Sequence, residues 1–153
     1  MKIQYFSLIL AVVCLIGCKN TPAPKFSDVA GKEWKLVEVR LDNKEIIFDR
    51  DMLTNEAFGD IFTLNFDAEN VSGRGAPNRF SAPFTLGNNQ AINISPMRST
   101  MMAAVSQPEK LREHDFFIYM QNAYEWKLLE NGNLELNSKA EDDKNVRLIF
   151  GLF

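Results

Sequence analysis

The chain has 153 residues, and its 17 Lys and Arg residues against 20 Asp and Glu residues give a formal net charge of −3. This length suits one domain with a substantial core, so the composition disfavours disorder and a multidomain enzyme. Because the sequence has no basic stripe to neutralise phosphates along a duplex, we expect no nucleic acid partner. The cysteines are Cys14 and Cys18, and the one histidine is His114. These counts predict a protein that is not an enzyme and needs no metal or cofactor.

Residues 1–17 have the pattern of a removable signal peptide. Lys2 precedes an uncharged apolar run that is too short to span a bilayer comfortably. The run ends in Leu15-Ile16-Gly17-Cys18, which resembles the lipobox of bacterial lipoproteins, where the cysteine is acylated and becomes the first residue. The alternative is an ordinary signal peptide with an incidental cysteine, which is disfavoured because polar sequence begins directly after Cys18. We therefore expect lipidation at Cys18.

Residues 18–30 are expected to form the lipidated cysteine and an extended, proline-containing tether. Because two or three acyl chains hold a protein stably on a membrane, the protein should be tethered rather than transmembrane. In the lipoproteins that this segment resembles, an Asp after the cysteine prevents transfer to the outer membrane, and here Lys19 follows. We expect a lipid anchor in the bacterial cell envelope, on the outer membrane facing the periplasm. In a one-membrane host the protein would lie on the outer face of the plasma membrane.

Alternation of apolar and polar residues with a period of two predicts antiparallel strands through much of the remaining chain. The segments that show it are residues 61–67, 80–86, 91–95, 124–128, 134–136 and 146–150. Pro83 requires an edge or a non-donating position in its strand. Asn131-Gly132 predicts a two-residue turn between the fourth and fifth of these segments.

The first strand of the domain changes parity along its length. Trp34 and Leu36 would face one side of a regular strand, whereas Val37 and Val39 would face the other. This switch predicts a bulge near Leu36 and Val37 that re-aims the side chains. Residues 43–60 mix apolar and charged residues, and we predict a strand followed by a short helix or loop.

One helix is predicted in the second half of the chain. Ser106 and Glu109 have the spacing of a capping box, and Pro108 would fall in the first turn. The residues that then recur at helical spacing are Glu113, Phe116, Phe117, Met120 and Ala123, and their aromatic face should pack on the sheet. The elements together predict an α+β fold, an antiparallel curled sheet or cracked β-barrel of about seven or eight strands with one principal helix packed across it.

Two segments resemble a known family. Residues 71–84 read VSGRGAPNRFSAPF, and residues 99–103 read STMMA. The two segments, in this order, resemble the META domain of HslJ-like heat-shock lipoproteins. In that family a Gly-rich turn leads to a Gly-Cys-Asn-x-Phe-x-Gly-x-Tyr segment, and a Thr-x-Met-Ala-Cys segment precedes the helix. The residues that match this pattern are Gly73, Asn78, Phe80, Phe84, Thr100, Met102 and Ala103. The resemblance places the domain at residues 31–153 and implies a cracked β-barrel crossed by a helix, similar to lipid-binding pilotins. It also implies links to envelope stress and outer-membrane assembly, and no established reaction.

The chain departs from the family pattern at its cysteines and at one of its glycines. The two frequent cysteines of the family fall at Pro77 and Ala104, and one glycine falls at Ala82. A disulfide or thiol role therefore does not carry over to this chain. Among the matching residues, Asn78 and Thr100 are expected to hydrogen-bond loop backbone, a structural role, because buried loop amides need partners.

For three other groups of residues we favour a solvated or structural role over a chemical one. His114 stands beside Glu113 and Asp115 on the polar side of the predicted helix, which favours a solvated side chain. The acidic residues 141–143 are expected to form a solvated turn. The Gly73-Arg74-Gly75 segment superficially resembles a phosphate cradle, but no strand-loop-helix context follows, and a tight turn with unusual dihedral angles is favoured.

The methionines before the predicted helix would by default fill the core, and the alternative is that they line an apolar groove. A candidate apolar groove would be lined by Met97, Met101, Met102, Phe116, Phe117 and Met120. Our first hypothesis is a non-enzymatic envelope lipoprotein that binds an unidentified envelope protein in assembly, stress protection or secretion. The second is a carrier of a lipid or other apolar ligand, which needs a continuous cavity of roughly 300 Å³ or more.

Overall fold

The computed structural model describes residues 23–104 and 106–153, so the predicted signal peptide and Cys18 lie outside the described residues. The strands are β1 (Glu33–Leu41), β2 (Glu45–Asp49), β3 (Thr63–Phe66), β4 (Asn70–Arg74), β5 (Arg79–Leu86), β6 (Ile92–Ile94), β7 (Arg98–Ser99), β8 (Glu125–Leu128), β9 (Leu134–Lys139) and β10 (Asn145–Leu152). The α-helix α1 spans Glu113–Gln121, and short 3₁₀ helices span Phe26–Asp28, Arg50–Met52 and Glu56–Phe58. No helix in the described part of the chain is long and apolar enough to cross a membrane.

The strands form one antiparallel sheet that curls until its ends meet. Eight strands lie along a path in the order β6-β5-β4-β3-β1-β10-β9-β8, while β2 pairs with β1 and β7 pairs with β5. A bridge between Ala91 and Glu125 joins the two ends of this path. The Ile92 amide donates to the Tyr124 carbonyl at 3.1 Å, beside that bridge. The fold is therefore a nearly closed antiparallel barrel with one helix, and the predicted fold class is confirmed.

A bulge occurs in β1 where the sequence predicts it. Leu36 pairs with Phe150 and Glu38 with Ile149 on β10, so Val37 is the extra residue. Because the bulge resets the alternation, Leu36 and Val39 are both buried in the core. The predicted strand and short helix within residues 43–60 are also present, as β2 and the 3₁₀ helix Arg50–Met52.

The turn before β9 differs from the two-residue turn that the sequence predicts. The Leu129 amide donates to the Asn133 carbonyl at 2.8 Å, and the Gly132 amide donates to the Leu129 carbonyl at 2.9 Å. These bonds enclose three residues rather than two, and Gly132 takes the left-handed conformation, with φ of +84°. The glycine is needed there because a side chain is strained at positive φ.

The helix α1 begins at Glu113, several residues later than the Ser106 capping box predicts. The Glu113 amide donates to the Gln107 side-chain oxygen at 2.8 Å, and the Arg112 amide donates to the Asp115 carboxylate at 3.3 Å. These side chains cap the helix, so Ser106 and Glu109 do not. Gln107 reaches its cap position only because the preceding segment runs outside the helix.

Two aromatic clusters fill the barrel. Ring contacts at centroid distances of 5.1 to 5.4 Å join Phe26 to Phe66, Phe84 and Trp126. The second cluster contains Phe48, Phe62, Phe80, Phe116 and Phe117, and through it the aromatic face of α1 packs on the sheet, as predicted.

The folded part of the chain begins within the segment that the sequence assigns to the tether. Phe26 packs in the first aromatic cluster, and Val29 is fully buried. The Val29 carbonyl also accepts a hydrogen bond of 3.0 Å from the Trp34 indole. The folded domain therefore includes residues 26–29 of the segment that the sequence assigns to a tether, because an apolar residue at 26 gains more from the core than from solvent.

Candidate functional site

The loop between β4 and β5, residues 75–78, is held by a carboxylate from the helix. Glu113 Oε1 accepts from the Ala76 amide at 2.5 Å and from the Asn78 amide at 2.6 Å. Its Oε2 accepts from the Asn78 side-chain amide at 2.7 Å. Because Glu113 is buried, these charge-assisted bonds lock the loop to the first turn of α1.

The Asn78 side chain also binds the segment that precedes the helix. Its Oδ1 accepts from the Met102 amide at 2.7 Å and from the Thr100 hydroxyl at 2.8 Å. Its Nδ2 donates to the Met102 carbonyl at 3.1 Å as well as to Glu113. All four hydrogen-bonding positions of the amide are therefore used. The structure thus places Asn78 and Thr100 against loop backbone, which is where the sequence expects them.

Thr100 connects this network to the first residue of β5. The Arg79 amide donates to Thr100 Oγ1 at 3.1 Å, and the Thr100 amide donates to the Arg79 carbonyl at 3.0 Å. Both backbone groups of Arg79 are thereby fixed from the outside of the hairpin. The residues of this network, Asn78, Thr100, Met102 and Glu113, are called the hairpin network below.

Gly73 and Gly75 are required by close neighbours and not by a turn. Gly73 lies within β4, where a Cβ atom would stand 2.0 Å from the Thr63 carbonyl oxygen. At Gly75 a Cβ atom would stand 2.6 Å from Glu113 Oε1 and 2.8 Å from Phe117 Cζ. Neither glycine has a positive φ, so the expected tight turn with unusual dihedral angles is wrong. The loop amides at Ala76 and Asn78 already bind Glu113, which leaves no phosphate cradle there.

The structure does not bring the six residues of the candidate apolar groove together. Phe116 and Met120 are fully buried, and Met97 and Phe117 pack on the core. Met101 and Met102 point outward, with exposed fractions of 97% and 62%. At Met102 the backbone amide and carbonyl, and not the side chain, bind Asn78.

The remaining residues singled out in the sequence lie as follows. Phe80 is buried and Phe84 partly buried, both in the aromatic clusters, whereas Ala103 is exposed. His114 is exposed on α1, and residues 141–143 form an exposed turn in which Asp142 pairs with Lys144 at 2.6 Å. Among residues 23–104 and 106–153, no group of three or more His, Cys, Asp or Glu side chains is placed to hold a metal ion.

A surface groove of about 410 Å³ lies beside the hairpin network, on the outer face of β3 and β4. Its lining includes Glu33, Asp60, Asn65, Arg74, Arg79 and Phe153. Lys35 lies at the edge of this region, with its Nζ 3.5 Å from the centre of the Phe153 ring. Burial, reinforced by the nearby Arg50 charge, lowers the pKa of Lys35, and Asp60 opposes that shift.

Arg50 holds the chain that leads into β3. Its guanidinium donates to the carbonyls of Leu36, Phe58, Gly59 and Ile61 at 2.5 to 3.2 Å. Burial lowers the pKa of Arg50, and the carboxylate of Asp60 opposes the shift. Sequence reasoning missed both Arg50 and the buried role of Glu113, because each binds residues that are distant along the chain.

Comparison with known proteins assigns the family. A model of the META domain matches residues 27–149. No curated protein matches the chain. A structure determined by NMR, of a protein from Burkholderia xenovorans, has the same fold, with a TM-score of 0.58 and 11% sequence identity over 99% of both chains. The domain model covers most of the sequence, and the chain therefore belongs to the META domain family.

Proposed function

We propose that this protein is a non-enzymatic lipoprotein of the bacterial envelope whose META domain binds another envelope protein through Met101 and Met102, here called the methionine tip. The observation that carries the proposal is the exposure of these two side chains, at 97% and 62%. Membership of the META family supports it as well, since META is not a known enzyme family.

The methionine tip combines two exposed side chains with a backbone that is held at Met102. Methionine adapts its shape to an apolar partner because it has an unbranched, polarisable side chain. The backbone of Met102 is bound on both sides by Asn78, through its amide and its carbonyl. Because the Met102 backbone is already held, a partner would not have to order it, which lowers the entropy that binding costs.

Anchoring through Cys18 would hold the domain close to a membrane. Seven residues separate Cys18 from Phe26, which packs in the barrel. A fully extended chain of this length reaches about 30 Å at most. A tether this short limits the domain to partners that also lie at the membrane surface, which is why we favour an envelope protein as the partner.

The anchor is tested by replacing Cys18 with Ser in the full-length chain. We expect Cys18→Ser to abolish incorporation of a labelled fatty acid and to release the protein from the membrane fraction. Cys14→Ser is the matched control, because Cys14 belongs to the part predicted to be removed, and it should change neither result. Labelled lipid on the Cys18→Ser protein would contradict the lipoprotein assignment.

The binding role is tested by a photo-crosslinking residue placed at position 101 or 102 of the protein in intact cells. We expect a discrete crosslinked species at these positions that disappears when the neighbouring methionine is changed to Ser. Met52 is the matched control, since it is also a methionine and is 77% exposed. Equal crosslinking at 52, 101 and 102, or none at 101 and 102, would refute the proposal.

A further inference from the structure

Two pairs of arginines stand directly opposite each other on neighbouring strands of the barrel. Arg40 on β1 pairs with Arg147 on β10, and Arg74 on β4 pairs with Arg79 on β5. Directly opposed residues of an antiparallel pair share one face, so each pair brings two positive charges together. Like charges directly opposite each other destabilise a sheet, and an anion beside them would relieve the repulsion.

The first pair is compensated within the chain. The Arg40 guanidinium is hydrogen-bonded to both carboxylate oxygens of Glu38, on the same strand. Arg147 forms an ion pair of 3.7 Å with the largely buried Glu135. Each guanidinium of this pair thus has its own carboxylate, which shows how this fold neutralises a cross-strand arginine pair.

The second pair, Arg74 and Arg79, has no such compensation. Neither guanidinium forms an ion pair or a side-chain hydrogen bond with any residue that the structure describes. Both arginines line the 410 Å³ groove, whose carboxylates are Glu33 and Asp60. The charge of Asp60 acts on Lys35 and Arg50, as the pKa shifts of those two groups indicate.

The surroundings of this pair are rigid and polar. Both backbone groups of Arg79 are bound to Thr100, and the loop between the two strands is bound to Glu113. The hydroxyl of Ser72, which also lines the groove, lies on the same face as Arg74, two residues before it. The backbone that carries the two arginines is therefore held in place, and a hydroxyl lies on the same face.

We infer that Arg74 and Arg79 form a binding site for a phosphate monoester. A carboxylate has one charge and two oxygens, which match one guanidinium, as in the pairing of Arg40 with Glu38. A phosphate monoester has nearly two negative charges and three acceptor oxygens, which match two guanidinium groups. The inference stands apart from the lipid anchor and from the methionine tip, since it uses neither.

The first test is a titration of the chain from residue 18 onward, with Cys18→Ser to keep it free of lipid, using inorganic phosphate at constant ionic strength. We expect saturable changes in the backbone amide resonances of residues 72–81. Arg74→Ala or Arg79→Ala should weaken binding roughly tenfold or more, because each removes a charge-assisted pair. Arg40→Ala changes the net charge equally and should leave the affinity unaltered.

A second variant separates loss of the site from loss of the fold. Arg79→Glu places a carboxylate directly opposite Arg74, so the chain supplies the anion that the ligand otherwise provides. We expect this variant to lose phosphate binding while its melting temperature stays equal to or above that of the original chain. Phosphate binding retained by Arg79→Glu, or absent from the original chain, would overturn the inference.

The third test distinguishes a soluble phosphate from a lipid headgroup. The same protein is mixed with vesicles of phosphatidylcholine that contain phosphatidic acid, whose headgroup is a phosphate monoester, or with phosphatidylcholine alone. Binding to inorganic phosphate but not to either vesicle assigns a soluble ligand. Binding to the phosphatidic acid vesicles that is lost in Arg79→Glu assigns a lipid headgroup. Vesicle binding that Arg79→Glu retains, together with no response to phosphate, refutes the site.

Discussion

Replacing Glu113 with Gln tests how much the hairpin network contributes to stability. The carboxylate accepts three hydrogen bonds, two on Oε1 and one on Oε2. A glutamine can keep its oxygen toward the two backbone amides, but its NH₂ group then faces the Asn78 NH₂ group. Turning the Asn78 side chain over does not help, because its oxygen already accepts from Met102 and Thr100.

The expected loss follows from those bonds. One charge-assisted bond is replaced by two donors that face each other, and the other two bonds become neutral ones. With each charge-assisted bond contributing about 1.5 to 3 kcal/mol, we expect Glu113→Gln to lower the free energy of unfolding by about 3 to 5 kcal/mol. For a domain of this size that corresponds to a fall in melting temperature of about 10 °C or more.

The assay is urea denaturation of the chain with Cys18→Ser, followed by tryptophan fluorescence. Trp34 and Trp126 are both buried, so their emission reports unfolding of the barrel. Glu109→Gln is the matched control, because Glu109 is exposed outside the helix, and it should change stability by less than about 0.5 kcal/mol. A loss at Glu113→Gln as small as that of the control would refute the role assigned to the carboxylate.

Three further perturbations can be measured by the same denaturation assay. Gly73→Ala should cost about 3 kcal/mol, because its Cβ would lie 2.0 Å from the carbonyl oxygen of Thr63, and a loss below about 1 kcal/mol would contradict that packing. Trp34→Ala should cost about 3 to 5 kcal/mol, since Trp34 is fully buried and donates to Val29, and a loss below about 1 kcal/mol would mean that the barrel does not enclose it. The backbone amides of Glu69 and Asn70 lower the pKa of Asp67 in the folded state. The Asp67 carboxylate should therefore stabilise the fold above the ordinary carboxyl pKa of about 4. This stabilisation should be lost as pH falls through the lower folded value. The difference between Asp67→Ala and the original chain should therefore shrink on acidification, and a constant difference would contradict this origin.

The barrel could be predicted because its strands are specified locally. Alternation along β3 and β5 reflects which face of each strand is buried, and this is a property of a few consecutive residues. The bulge in β1 was equally visible, because Leu36 and Val39 must both reach the core although they have opposite parity. The pairing between distant strands could not be predicted from the sequence, because it depends on the register of the whole sheet.

The start of the helix could not be predicted because the side chain that caps it comes from outside the helix. Ser106 and Glu109 satisfy the spacing rule for a capping box, yet Gln107 caps from outside the helix. Its reach depends on where the segment before the helix lies, and the spacing of residues within the helix does not show that position. A rule based on spacing along one element therefore places the cap too early.

The candidate site was missed for the same reason. Gly73 and Gly75 suggest a turn when read alone, since glycine serves most often to permit positive φ. Their actual cause is the approach of Thr63 and Glu113, which belong to other elements. Likewise, Arg74 and Arg79 lie five residues apart in the sequence, and this spacing alone does not indicate that they are neighbours. Only the register of β4 and β5 places them opposite each other.

The hairpin network joins the two segments in which the family pattern that the sequence resembles has its frequent cysteines. The resemblance places those cysteines at Pro77 and Ala104, and neither position can form a covalent link here. The same two segments are joined instead by Asn78, whose amide binds Thr100 and Met102, and Glu113 binds the loop from the helix. A covalent link acts mainly by restricting the unfolded chain, whereas these hydrogen bonds act only in the folded state. The network must therefore be complete to hold the loop, which is why the loss of one donor-acceptor match at Glu113 should have a large effect.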